Sequence, residues 1–261
     1  MRPVIILASF GVRDKETRAC TIDSIAYDLK KRFKDYDIVQ AFTSAFLRKK
    51  IAADEGVTIP SLEETLEKLA NDGCPKVLIL PTHLTAGEEY EKKIRAAYEV
   101  YADRLADVRL AGPVFEKPVD NQRVLMALLL DLHVHPGEEL VLMGHGSPHT
   151  HNPVYDSLQA YIDGEGLPIH VGVLEPSDRP NFDDVLARLE KTGHKQILLA
   201  PLLLTGGTHV QEDLVGDGEA SWKSRLTAAG YDVRVSLYGL GEYPAFRALY
   251  VKRAERMLGE A

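Results

Sequence analysis

The chain has 261 residues, 45% hydrophobic and 27% charged, with 31 basic against 39 acidic side chains and a net charge of −8. That length and balance suit a globular protein of one large domain or two small lobes. They exclude a basic nucleic-acid binder, since no Lys/Arg run exceeds Arg48-Lys49-Lys50, and a membrane-spanning chain, since no apolar stretch reaches spanning length.

The apolar start, Val4 to Phe10, is too short for a secretory leader and runs straight into Gly11, so it reads as a strand over 4–9. A helix over 14–32 follows, with Ile22, Ile25, Ala26 and Leu29 on one face, then a strand over 37–42 and a helix over 43–55. Ser61 caps the next helix with Glu64 at the capping-box position. A strand over 76–80, a helix over 88–101 and a strand over 108–111 complete a first lobe, residues 1–118, whose proline-bearing segment 112–118 is the crossover. The second lobe, residues 119–261, opens with a helix over 121–132. Its strands are expected over 140–143, 169–174, 196–200 and 232–236, and its helices over 153–162, 182–191, 220–229 and 244–258. Strands alternating with helices predict an α/β fold of two similar lobes, each a parallel sheet flanked by helices, with a cleft between them. Cys20 and Cys74 form no Cys-x-x-Cys pair, so neither a disulfide scaffold nor a zinc ribbon is expected, and the compartment expected is the cytoplasm.

An internal repeat supports two lobes. Residues 61–92 align without gaps on 181–212 at an offset of 120. Leu66 meets Leu186, Gly73 meets Gly193, Pro81 meets Pro201, and Leu84-Thr85 and Gly87 meet Leu204-Thr205 and Gly207. With only two copies this is a duplicated α/β unit, not a solenoid.

The chemistry-bearing residues cluster at strand ends. Gly144-His145-Gly146 stops the run Leu140 to Met143, and flanking glycines let the backbone turn sharply and approach a ligand. That places His145 at the carboxyl edge of a parallel sheet, where open α/β sheets bind ligands. Glu175 ends another strand, and His209 follows Gly206-Gly207-Thr208. Two imidazoles and a carboxylate suit borderline cations such as Co2+, Fe2+, Ni2+ or Zn2+. Glu89 is the repeat partner of His209 and is expected to face it across the cleft. Each has an ordinary alternative: a hydrogen-bonded loop histidine, a strand-end cap, a helix N-terminal carboxylate stabilised by the macrodipole. His83, just after a strand, is a further cleft candidate, whereas His133, His135, His170 and His194 read as helix-end or surface residues.

Eight motifs occur in an order that resembles one family: Ser9-Phe10-Gly11; Ala41-Phe42-Thr43-Ser44 with Arg48-Lys49; Gly87-Glu88-Glu89-Tyr90-Glu91-Lys92; Gly144-His145-Gly146; Glu175; Gly207-Thr208-His209; Ser221-Trp222-Lys223; and Gly239-Leu240-Gly241-Glu242 with Pro244-Ala245-Phe246-Arg247. Over nearly its whole length the chain is similar to the anaerobic cobalt chelatases of cobalamin biosynthesis, the sirohydrochlorin cobaltochelatases. These are class II, ATP-independent chelatases with a two-lobed, ferrochelatase-like fold. The resemblance implies Co2+ insertion into sirohydrochlorin and no cofactor beyond the divalent metal substrate. It implies His145, Glu175 and His209 as metal-binding residues, and His145 with Glu89 as the catalytic pair. Ser9, Phe10, Arg13, Lys49, Gly87 and Ser147 are the positions expected to contact the tetrapyrrole. No role is carried onto His149 or His151, because the family varies in the segment after Gly146. The chemistry agrees: metal insertion displaces two pyrrole protons, and imidazole and carboxylate can hold the ion or take a proton. A substrate rich in carboxylates explains basic groups in an acidic protein, with Arg13, Arg48, Lys49, Lys92 and Lys93 as candidates. The absence of a P-loop fits ATP independence.

Two other readings stand beside this one. The metal could be iron, for siroheme, since ligand type barely separates Co2+ from Fe2+. From another class, the chain could be a non-catalytic metal or tetrapyrrole binder. The partners expected are the tetrapyrrole and the metal, with no nucleic acid and no membrane; a homo-oligomer is compatible with the sequence.

Overall fold

The computed structural model describes residues 1–147, 151–207 and 210–259. The chain divides into two compact units: Met1–Glu116 with Phe246–Ala261, and Lys117–Ala245. In the first, β1 (Val4–Ser9) is followed by α1 (Lys15–Cys20), α2 (Ile22–Arg32), β2 (Asp37–Phe42), α3 (Ala45–Glu55), α4 (Leu62–Asn71), β3 (Val77–Pro81), a π-helix (Tyr90–Arg95), α5 (Ala96–Tyr101) and β4 (Val108–Leu110). The second holds α6 (Pro118–Asp131), β5 (Glu138–Gly144), α7 (Pro153–Gly164), β6 (Ile169–Val173), α8 (Phe182–Thr192), β7 (Gln196–Pro201), a second π-helix (Val210–Leu214), α9 (Trp222–Ala228) and β8 (Asp232–Val235). The last helix, α10 (Pro244–Leu258), packs with the first unit.

Each unit is built on a four-stranded parallel sheet, ordered β2-β1-β3-β4 in one and β6-β5-β7-β8 in the other. β1 and β5 are flanked on both sides by other strands and are buried at every residue, which is why residues 4–8 and 140–143 read as unbroken apolar runs. On one face of the first sheet Ile6, Val77 and Ile79 pack with Leu62, Leu66 and Ile94. In the second unit Val141, Met143 and Leu199 pack with Val185, Leu189 and Trp222. The repeat is visible in detail. Ser61 and Glu64 form a reciprocal capping box on α4, with hydrogen bonds of 3.0 and 2.6 Å, and Asn181 and Asp184 do the same on α8. Gly73 and Gly193 both stop a helix with φ near +70°, at +67° and +73°. The two π-helices begin at Tyr90 and Val210, again 120 residues apart.

Three sequence expectations change. The single helix over 14–32 breaks at buried Thr21, whose hydroxyl donates to the Thr17 carbonyl and whose backbone leaves helical values. β5 begins two residues earlier than the apolar run, at Glu138 and Glu139, both under 7% exposed. Arg234 neutralises Glu138 through bonds of 2.9 and 2.7 Å and holds its carboxyl below the usual range. Glu139 takes bonds from His170 at 2.8 Å and His194 at 2.5 Å, so His170 is a core residue in β6 and not a surface one. Finally, residues 246–261 do not belong with 119–245. Tyr250 donates to the Thr82 carbonyl at 3.0 Å, and buried Arg253 donates to the carbonyls of Gly112 and Val114, both at 2.9 Å. Those contacts hold α10 on the first unit.

Replacing Arg253 by Met should leave two carbonyls without their charged donor and cost on the order of 2–4 kcal/mol. Denaturant unfolding of the variant checks this, and a midpoint matching the unchanged chain would refute it.

Candidate functional site at the carboxyl edge of the second sheet

The glycines around His145 are there because nothing larger fits. A Cβ on Gly144 would lie 2.5 Å from Cε1 of Tyr155, which buries its ring beneath the turn. Gly146 has φ of +79°, and a Cβ there would lie 2.9 Å from Cβ of Val173 and 3.0 Å from Cβ of Glu175. The turn is thus flattened against the end of β6, and His145 itself is exposed. Its Nδ1 lies 3.2 Å from the Gly146 carbonyl oxygen. The Gly146 N–H points at the Tyr155 hydroxyl, 3.5 Å away, and burial pushes that phenol up.

The β5–β6 ladder continues past both strands. Leu174 N–H donates to the Gly144 carbonyl at 2.9 Å, and Glu175 N–H donates to the His145 carbonyl at 3.0 Å. The two sequence-predicted ligands are therefore backbone-bonded neighbours at adjacent strand ends. Glu175 is half-buried and accepts from the Ser177 hydroxyl at 2.9 Å. The third, His209, lies outside the described residues, as does His149. Before it, the Gly207 carbonyl accepts from Val210 and Gln211 at 2.9 and 3.2 Å. Among the described residues no group of three or more His, Cys, Asp or Glu side chains is gathered as a metal cage.

The first unit shows what this edge looks like without the histidines. Ala8 pairs with Pro81 as Met143 pairs with Pro201, so the register makes Phe10 the counterpart of His145. Ser44 N–H donates to the Phe10 carbonyl at 3.2 Å, just as Glu175 does to His145, so Ser44 is the counterpart of Glu175. Glu89, the counterpart of His209 in the sequence repeat, accepts from the Thr43 hydroxyl at 2.5 Å. Phe10 is 51% exposed. Ser9 is buried, and its hydroxyl has no partner among the described residues. The Gly87 carbonyl accepts from Glu91 at 3.0 Å, repeating the turn at Gly207. Of the basic candidates, Arg13 is held by Asp54 at 2.9 Å, Arg48 by Glu64 at 2.9 Å, and Lys92 by Glu88. Lys49 and Lys93 are exposed without an ion pair among the described residues. In the second unit Ser147 uses its N–H on Asp178 at 2.8 Å. Tyr155 and Asp178 escape sequence reasoning: Tyr155 sits in the buried i, i+3, i+4, i+7 row of α7 and reads as core alone, and Asp178 belongs to no periodic pattern or ligand-type spacing.

Solved chelatases share this fold of two parallel α/β units. SirB from Bacillus subtilis, solved with Fe3+, superposes with a TM-score of 0.62 at 18% identity, over 98% of this chain and 96% of that one. The same organism's sirohydrochlorin chelatase SirB in complex with cobalt gives 0.59 at 15% identity, covering 99% and 97%. The sequence narrows this further. Residues 3–258 match the family described as cobalt chelatase (CbiK), and the chain belongs to that family. The sirohydrochlorin cobaltochelatase of Salmonella typhimurium is 30% identical over 100% of this chain and 98% of its own length. Sirohydrochlorin cobaltochelatase CbiKC of Nitratidesulfovibrio vulgaris is 31% identical over 93% and 86%. The chain is accordingly an enzyme, a metal chelatase. No helix among the described residues is long and apolar enough to cross a membrane.

His83 follows the carboxyl end of β3, packs edge-on to Tyr90, and has both ring nitrogens shut off from solvent without a partner among the described residues. Burial holds its pKa down at about 4. Above pH 6.5 the imidazole is neutral folded or unfolded; as pH falls towards 4 only the unfolded chain takes up the proton, so stability is lost. His83→Phe should remove that component. The stability difference between variant and parent is expected to shift by about 3 kcal/mol between pH 7 and pH 4. Urea unfolding at both pH values measures it, and a pH-independent difference would contradict a buried neutral imidazole.

Proposed function

We propose that the chain inserts Co2+ into sirohydrochlorin, the metal and tetrapyrrole that the names of its curated relatives state, and does so without ATP. The observation that carries the site assignment is the 3.0 Å backbone bond joining Glu175 to His145 at the ends of adjacent strands. In this reading His145, Glu175 and His209 take the incoming ion, the carboxylate offsetting part of the charge that loses its water. Insertion releases two pyrrole protons as the macrocycle becomes the dianionic ligand of the metal. His145, once free of the ion, accepts one, and Glu89 accepts the other. The Thr43 hydroxyl bonded to Glu89 fixes the orientation of its carboxyl group.

Phe10 offers an exposed apolar face to the macrocycle, and Lys49 a charge to its carboxylates. Arg13, Gly87 and Ser147 complete the substrate contacts, Arg13 exchanging Asp54 for a substrate carboxylate; Ser9, which is buried, is withdrawn from the expected contacts. Cobalt is favoured over iron by the family and by both curated relatives.

Multiple-turnover insertion, followed by the visible spectrum with sirohydrochlorin and Co2+, is the direct test. His145→Ala and His209→Ala should each abolish most turnover with the far-UV spectrum unchanged; near-parental turnover removes that residue from the mechanism. A stoichiometric complex without turnover would instead identify a binder.

Glu89→Gln should lower kcat on the order of 10²-fold with little change in Co2+ affinity, because proton transfer is expressed at the chemical step. Single-turnover rates and melting temperature taken on one preparation decide this. An unaltered rate with a lower melting temperature would leave Glu89 as a helix-start residue only.

A further inference from the structure

Asp178 has no part in the mechanism above, yet its carboxylate is completely buried and joins the two ligand-bearing turns. Oδ2 accepts from the Ser147 N–H at 2.8 Å, two residues past His145. Oδ1 accepts from Nδ1 of His151 at 2.7 Å, from the Arg179 N–H at 2.8 Å and from the Asn152 N–H at 3.3 Å. Its own N–H donates to the Glu175 carbonyl at 3.1 Å. One side chain thereby binds the segment leaving His145, the segment entering α7, and the turn that begins at Glu175.

We propose that Asp178 is a positioning residue, holding His145 and Glu175 at the spacing a divalent cation requires. The proposal rests on the reading of those two residues as metal ligands. Backbone pairing alone fixes where their carbonyl and amide meet, but Gly146 is free of a side chain that could brace the turn. The brace comes instead from Ser147 pinned to Asp178. A carboxylate is needed for this because all four groups that approach it are donors; an amide would present its own N–H2 to at least one of them. The buried charge is compensated by His151, whose Nε2 lies 2.6 Å from Asp156, so that a carboxylate sits at each ring nitrogen. Partners that orient metal ligands in this way typically carry about 10–100-fold in metal affinity or activity.

The test uses the full chain titrated with Co2+ alone, in Asp178→Asn, His151→Ala and His145→Ala. Binding is followed by calorimetry and by the Co2+ visible absorption bands, which report coordination geometry; urea unfolding is measured on the same samples. Asp178→Asn is expected to fold, to weaken Co2+ by about 10–100-fold and to alter the bands. His151→Ala, which removes one donor at a half-exposed position, should weaken Co2+ by about threefold. Suppose His145→Ala loses Co2+ while folded Asp178→Asn and His151→Ala keep parental affinity and bands. The positioning role is then overturned and the ligand reading survives. If Asp178→Asn does not fold, His151→Ala decides alone, and unchanged affinity and bands overturn the role. Parental Co2+ binding by His145→Ala would defeat the ligand reading itself and the positioning role with it.

Discussion

Both units hang on one arrangement: a strand hydrogen-bonded along both edges to parallel neighbours. β1 sits between β2 and β3, and β5 between β6 and β7. A parallel ladder brings all carboxyl ends to one rim, so residues far apart in sequence become neighbours wherever their strands stop. His145 and Glu175, 30 residues apart, meet because Gly144 pairs with Val173 and the ladder runs on to the next residues. A slip of register in β5 would separate them while costing the apolar face of the strand its packing. The core and the site are therefore fixed by the same hydrogen bonds.

The duplicated rim has been put to unequal use. Backbone geometry at Phe10 and Ser44 reproduces that at His145 and Glu175, down to a glycine of positive φ one residue on, Gly11 in one and Gly146 in the other. The side chains differ in kind: aromatic, hydroxyl and carboxylate on one unit; imidazole, carboxylate and imidazole in sequence on the other. On the proposed reading, one copy of the scaffold serves a flat organic face and a proton, its sibling a cation. Fold and chemistry separate on that reading, the scaffold supplying position and a few rim side chains in each unit the reactivity.

Much of this was legible in the linear chain. Central strands announce themselves as apolar runs, the capping boxes at Ser61 and Asn181 mark helix starts, and α10 begins and ends where its pattern does. What escaped was whatever depends on a partner distant in sequence. Glu138 and Glu139 look like a solvated turn until Arg234, His170 and His194 are placed beside them. Thr21 breaks a helix through its own hydroxyl, which a periodic pattern does not register. The π-helices follow the Leu-Thr-x-Gly turns, where the hydrophobic pattern is consistent with an ordinary helix. Asp178, in a short segment bounded by Pro176 and Pro180, has no signature until four donors converge on it. The identity of the ligand candidates could be read because glycines advertise tight turns; the groups that brace those turns could not.

The attachment of α10 to the first unit has a consequence for how the chain is made. Its contacts with Thr82, Gly112 and Val114 join residues separated by 139 to 168 positions, and the whole of the second unit is translated between them. The second unit is one uninterrupted stretch and can close its sheet as soon as β8 leaves the ribosome. The first emerges earlier, yet its contacts with Tyr250 and Arg253 can form only once α10 has been made. The order in which native contacts become available thus runs against the order of synthesis: every residue of the second unit exists before the first unit has its last helix.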